Sequence, residues 1–275
     1  DGIRVLVRSV GSEMCIRDSS EAVEAALLAG DHMRAAALIA RLIAPRLVQN
    51  EFHTLRRWME QIPQDVLQQH PTICMIFATA ILFTSPRHAP ETKERLQIPL
   101  QIAEAHWARQ ENDQRLGEVV AFRSLVDWLQ GDFSDSFVHA HHALNLLPDT
   151  DRQWRGISLI MVAVEFLLNG EVYRAQTTAT EALARCREAQ NIYGTLDSML
   201  ILGEIAYRQG KLYQARELYQ EVVTTAQDAP MSRAQAEIRR ARAMLGLGFL
   251  HLEWNDLDQA QEAISEAVAI AAKHP

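Results

Sequence analysis

Gly170-Glu171-Val172-Tyr173-Arg174-Ala175 is the stretch that decides the fold. Glycine takes the left-handed conformation that ends one helix, and a small residue five positions on lets the returning helix come close. Four further stretches share the same plan: Gly30-Asp31-His32-Met33-Arg34-Ala35, Gly131-Asp132-Phe133-Ser134-Asp135-Ser136, Gly210-Lys211-Leu212-Tyr213-Gln214-Ala215 and Asn255-Asp256-Leu257-Asp258-Gln259-Ala260. In three of the five, Asp31, Asp132 or Asp256 is placed to cap the next helix. Seven positions before the last four turns stand Ser124, Ala163, Gly203 and Gly248, so both arms of each hairpin are small where they meet.

From Gly131 the turns lie 39, 40 and 45 residues apart, a spacing that suits two helices of roughly fifteen to twenty residues each. Only 12 Gly and 9 Pro occur in 275 residues, and 48% of the chain is apolar, enough for a continuous core. The pattern resembles the tetratricopeptide repeat, best at Gly203, Gly210, Ala215 and Tyr219, with a longer period than the usual ~34 residues. The expected fold is all-α, a right-handed superhelical array of tetratricopeptide-like helix-turn-helix repeats, an α-solenoid, over residues 20–275. A helix is expected over Phe52 to Ile62, a break at Pro63, and a new helix near Pro71. Thr84-Ser85-Pro86-Arg87-His88-Ala89-Pro90 and then Pro99 mark an irregular corner at about 84–100, with Pro99 kinking or interrupting the helix around it. Residues 1–19 carry no repeat pattern, and their GSEMCIRDS stretch is set aside as an unstructured or artefactual leader.

The formal charge of −8 rests wholly on the repeats, because Arg4, Arg8 and Arg17 balance Asp1, Glu13 and Asp18. An acidic surface without a basic stripe disfavours nucleic acid and anionic membranes. Cys15, Cys74 and Cys186 stand far apart, which fits a reducing cytoplasm rather than a disulfide framework. The longest apolar runs, Ile73 to Phe83 and Ile157 to Leu168, fall short of the ~20 residues of a membrane span.

Leu55-Arg56-Arg57-Trp58-Met59-Glu60-Gln61-Ile62-Pro63, followed by Val66-Leu67 and His70-Pro71, and Glu253-Trp254-Asn255-Asp256-Leu257 carry a more specific likeness. They resemble the repeat region of MalT-like, ATP-dependent LuxR-family transcription regulators, over about residues 20–275. What the resemblance implies is a ligand-sensing or protein-interaction region, since neither the family's nucleotide-binding domain nor its helix-turn-helix reader is visible. The alternative is a free-standing tetratricopeptide adaptor for a peptide or protein.

No catalytic motif stands out, and no cofactor or metal site is expected. His139 and His142 share a helix face but His141 points elsewhere, short of the three or four ligands a metal site needs. By tetratricopeptide spacing, positions six and three before each turn face the groove: Leu125 and Trp128, Val164 and Leu167, Glu204 and Tyr207, Phe249 and Leu252. Trp128, Glu204, Tyr207 and Phe249 are the candidates for holding a small-molecule inducer or a protein, and the aliphatic positions are expected to pack. Trp58 and Trp254 read as structural, and self-association into a homo-oligomer is open.

Overall fold

The computed structural model describes residues 20–48, 51–86 and 89–273. The leader over 1–19, with Cys15, lies outside them. The described residues form helices and connections without a strand: α1 (20–28), α2 (His32–Val48), α3 (Phe52–Met59), α4 (Gln64–Gln69), α5 (Pro71–Thr84), α6 (Pro90–Arg109), α7 (Asp113–Gln130), α8 (Phe133–Leu146), α9 (Gln153–Leu168), α10 (Val172–Glu188), α11 (Ile192–Arg208), α12 (Leu212–Asp228), α13 (Arg233–Glu253) and α14 (Leu257–Ala271). They divide into two compact units, one running to Val119 with Leu129–Gly131, the other comprising Val120–Trp128 and the residues from Asp132.

In the first unit the Leu55–Pro63 stretch acts as a bracket. Leu55, Trp58 and Met59 form the buried face of α3, and the Trp58 indole N–H donates to Glu24 Oε1 at 2.6 Å. Arg56 faces the other way. Its guanidinium donates to Thr84 O, Thr84 Oγ1 and Ser85 Oγ at 3.0–3.1 Å, satisfying a carbonyl that the end of α5 leaves open. Pro63 ends that stretch before α4, and Pro71 starts α5 at a position where its missing N–H costs nothing. The corner is shorter than expected. Thr92 Oγ1 donates to Pro86 O at 2.8 Å across it, and α6 runs unbroken through the buried Pro99, because the surrounding turns and core hold the helix despite one lost bond.

The second unit is a run of hairpins. All five expected turns, Gly30 and Gly131 of the first unit included, have a left-handed residue, with φ of 71° at Gly30, 84° at Gly131, 77° at Gly170, 73° at Gly210 and 57° at Asn255. At Gly170 the backbone closes by two reversed bonds, Gly170 N to Leu167 O at 3.3 Å and Glu171 N to Phe166 O at 2.8 Å, which satisfy carbonyls at the end of α9. Asp31 and Asp256 cap the next helix through Arg34 N (3.1 Å) and Gln259 N (3.4 Å), but Asp132 makes no side-chain cap bond. Two turns of the same build occur without glycine, at Glu111 (φ 52°) and Gln190 (φ 53°), followed by the capping residues Asn112 and Asn191. Nothing lies within 4 Å of a Cβ built on Gly170, so Gly170→Ala tests backbone strain alone. Its expected cost is ~1 kcal/mol, and Gln190→Gly is expected to gain a similar or smaller amount, both read from urea denaturation midpoints.

The hairpin arms meet through matched volumes. Ser124 and Ser136 exchange hydroxyl-to-carbonyl bonds of 2.8 Å in each direction. In later hairpins the partner nine positions after the turn grows from Ala179 to Tyr219 and Ile264, and the facing residue shrinks from Ala163 to Gly203 and Gly248. A Cβ on Gly248 would lie 2.5 Å from Ile264 Cγ1.

Candidate functional site

Helices α9, α11 and α13 are the first arms of successive hairpins, and α11 packs against both of the others. The residues expected in their groove sort into two sets. Leu125, Trp128 and Val164 are half-buried against a core around Ala140, Leu159 and Ala163, while Leu167 belongs to that core outright. The indole of Trp128 rests on Phe133, with ring centroids 4.9 Å apart, and on Phe137. Trp254 packs with Tyr213 at 5.7 Å, as a hairpin residue would.

The second set gathers on α11 and α13. Glu204 Oε1 accepts from Arg208 Nε at 2.7 Å, one turn along α11. The Tyr207 hydroxyl crosses to α13 and donates to Glu253 Oε1 at 2.8 Å, an interaction that raises the tyrosine above its ordinary pKa. Phe249, 45% exposed, stands one turn before Glu253. Two of the four candidates, Glu204 and Tyr207, thus each pair with a residue that the turn spacing did not single out, Arg208 and Glu253 respectively.

Against both helices lies Tyr219 of α12. Its ring is held between two helices at positions without side chains: a Cβ on Gly203 would approach Tyr219 Cε1 to 2.6 Å, and one on Gly246 would approach Cε2 and Cζ to 2.5 Å. Burial pushes the phenol's pKa up, and the Glu204 carboxylate adds to the effect, so the group is a neutral O–H at physiological pH. Sequence spacing marked Gly203 and Tyr219 as repeat residues and missed what they build together with Gly246.

His139 Nδ1 meets Asp127 Oδ2 at 2.7 Å and His141 Nε2 meets Glu165 Oε2 at 2.6 Å, so the two imidazoles serve different carboxylates. Among the described residues no three His, Cys, Asp or Glu side chains converge as a metal site would require. Cys74 and Cys186 are buried, and desolvation pushes each thiol up to about 12, far from a reactive thiolate. No described helix is long and apolar enough to cross a membrane.

A family model described as the MalT-like TPR region matches residues 117–274, which include α11, α13 and the Glu253–Leu257 motif. The Leu55–Pro63 bracket lies outside the matched segment. No curated protein matches the chain. Among solved structures, the crystal structure of BtubC (BKLC) from P. vanneervenii is similar with a TM-score of 0.53 and 14% identity, over 95% of this chain and 91% of that one. At that identity the likeness is one of fold, a helical repeat array.

Proposed function

Since the chain belongs to the family of MalT-like TPR regions, we propose that it is the sensing and interaction region of a cytoplasmic LuxR-family regulator, binding an inducer or protein through the exposed face of α11 and α13 without catalysing a reaction. The observation that carries this reading is the two side-chain bonds on α11 and α13, Arg208 to Glu204 and Tyr207 to Glu253. Partly exposed polar side chains held in place on adjacent helices form a surface that is organised before a ligand arrives, which lowers the ordering cost of binding. Trp128 and Phe249 would extend it with aromatic area. A ligand switches such a region only through preferring one arrangement of the array over another, and a shift from 1:99 to 99:1 needs ~10⁴-fold preference.

The test is a thermal-unfolding panel of oligosaccharides, organic acids and short peptides on the intact chain. At least one class is expected to raise the melting temperature by several degrees at saturation, roughly the effect of 2–3 kcal/mol of binding linkage. The Glu204→Ala/Tyr207→Ala chain should lose that rise. A rise that survives the double substitution places binding elsewhere, and the absence of any rise defeats the sensing reading. Sequencing the intact locus separates the regulator from the adaptor: a nucleotide-binding domain upstream and a helix-turn-helix domain downstream support the former.

A further inference from the structure

In the second unit the first arm of one hairpin is covered by the first arm of the next: α11 packs against both α9 and α10, and α13 against both α11 and α12. The residues that do this recur at fixed distances from the turn. Ten before it stand Ile160 and Leu200, both sealed, Ile160 in a core with Ile201 and Ile205 of α11 and Leu200 in one with Ala243 and Leu250 of α13. Thirteen after it, on the second arms, stand Leu183 and Val223, partly buried against the core that holds Leu200 and Leu250. The covering helix in turn brings a small residue twelve before its own turn and an apolar one five before it, Ser198 and Ile205 in α11, Ala243 and Leu250 in α13, all of them buried.

The last hairpin repeats this seat and leaves it open. Its counterparts of Leu200 and Val223 are Leu245 and Val268, and Val268 is 60% exposed. Ile238, Phe249 and Leu252 continue the row along α13. Steps of seven, four and three residues from Ile238 to Leu252 keep the row on one face, and every member is exposed. Single exposed apolar residues are ordinary, whereas an aligned row in the register that the fold itself uses for docking marks an interaction surface.

The polar contacts of the covered seat give the sign of the occupant. Asp197, thirteen before the α11 turn, receives Arg239 Nη2 at 2.6 Å and Arg242 Nη1 at 3.4 Å, from positions sixteen and thirteen before the α13 turn. On α13 the position of Asp197 is taken by Arg242, half-exposed. The charge is reversed. A helix laid on α13 as α13 is laid on α11 therefore brings its own positions sixteen and thirteen to a guanidinium, and a carboxylate there makes the charge-assisted pair.

We propose that the α13–α14 groove is a docking site for one amphipathic helix of another protein. That helix is apolar along the face that meets Leu245, Phe249, Leu252 and Val268 and carries a carboxylate in its N-terminal half opposite Arg242, a helix-in-groove mode of recognition. A second copy does not supply it in this manner, because the covering faces of its α11 and α13 are already packed on α9 and α11. The site shares Phe249 with the α11–α13 sensing surface but does not rest on that reading.

Calorimetric titration of the intact chain with an end-capped synthetic peptide tests it: the α13 sequence, residues 233–253, carrying Arg239→Glu and Arg242→Glu. This peptide should bind saturably, and the unsubstituted peptide at least tenfold more weakly, because it sets like charges together. Arg242→Glu in the chain should invert the order of the two peptides. Leu245→Glu and Val268→Glu in the chain should each weaken binding tenfold or more by placing a charge under the apolar face, and both should leave the urea midpoint near that of the parent, since these side chains are exposed. Glu204→Ala/Tyr207→Ala should bind as the parent does, so that failure of the sensing surface and failure of this groove are read separately. The proposal is overturned by no saturation at millimolar peptide, by equal affinity for the two peptides, or by binding undiminished in both Leu245→Glu and Val268→Glu. Sedimentation of the parent as a dimer that Leu245→Glu dissolves would give the groove to a second copy, and a helix of this pattern following in the intact reading frame would give it to the chain itself; either result overturns the proposal.

Discussion

Gly203→Leu is expected to destabilise the second unit by about 3 kcal/mol, seen as an early urea transition by circular dichroism. Two effects compete at this position. Replacing a helical glycine by a better helix former ordinarily gains about 1 kcal/mol. Against that, the first added carbon would sit 2.6 Å from Tyr219 Cε1, and the ring cannot retreat because Gly246 is as close on its other side. A flexible chain end could swing away, but a ring held on both faces moves only with its helix. The steric cost therefore wins. Tyr219→Leu in the same chain should recover a good part of the loss, giving a coupling of about 1–2 kcal/mol between the two positions. Strict additivity would mean that the ring does not occupy this passage.

How much of the molecule was legible depends on where each instruction resides. The five turns were readable because a left-handed residue is a local demand that glycine or asparagine answers. Glu111 and Gln190 adopt the same conformation without that signature, and the adjoining Asn112 and Asn191 were the faint signal. Small residues within one hairpin were readable too, since both arms lie in one repeat. Gly246 was not. It stands nine before its turn, where the preceding repeats carry Phe122, Met161 and Ile201. Only when set against the previous repeat does it make sense, with Ala140 before Met161, Ala179 before Ile201 and Tyr219 before Gly246, a large residue always meeting a small one. The groove positions divide for a similar reason: Leu167 lies three before its turn and, as expected of the aliphatic positions, is sealed in the core shared with Ile201 and Ile205 of the next hairpin. A repeat pattern states which way a side chain points, whereas its exposure depends on the neighbouring repeat.

That distinction yields a second large effect. Ten positions before the turn stand Leu200 in α11 and Leu245 in α13, the same residue in the same register. Leu200 is 4% exposed, in the core that α11 shares with Ala243 and Leu250 of α13, whereas Leu245 is 39% exposed. Leu200→Ala should cost about 2–4 kcal/mol, as truncation of a sealed leucine does, and Leu245→Ala less than about 1 kcal/mol. Urea unfolding of both variants at two protein concentrations is the measurement. Local helix propensity is identical for the two substitutions, so any difference reports the covering helix alone. Equal and large costs would show that the α13 face is covered in solution, and a concentration-dependent cost at Leu245 would identify the cover as a second copy of the chain. If the costs are equal and small, the core assigned to α11 and α13 is wrong, and with it the passage between them that holds the Tyr219 ring.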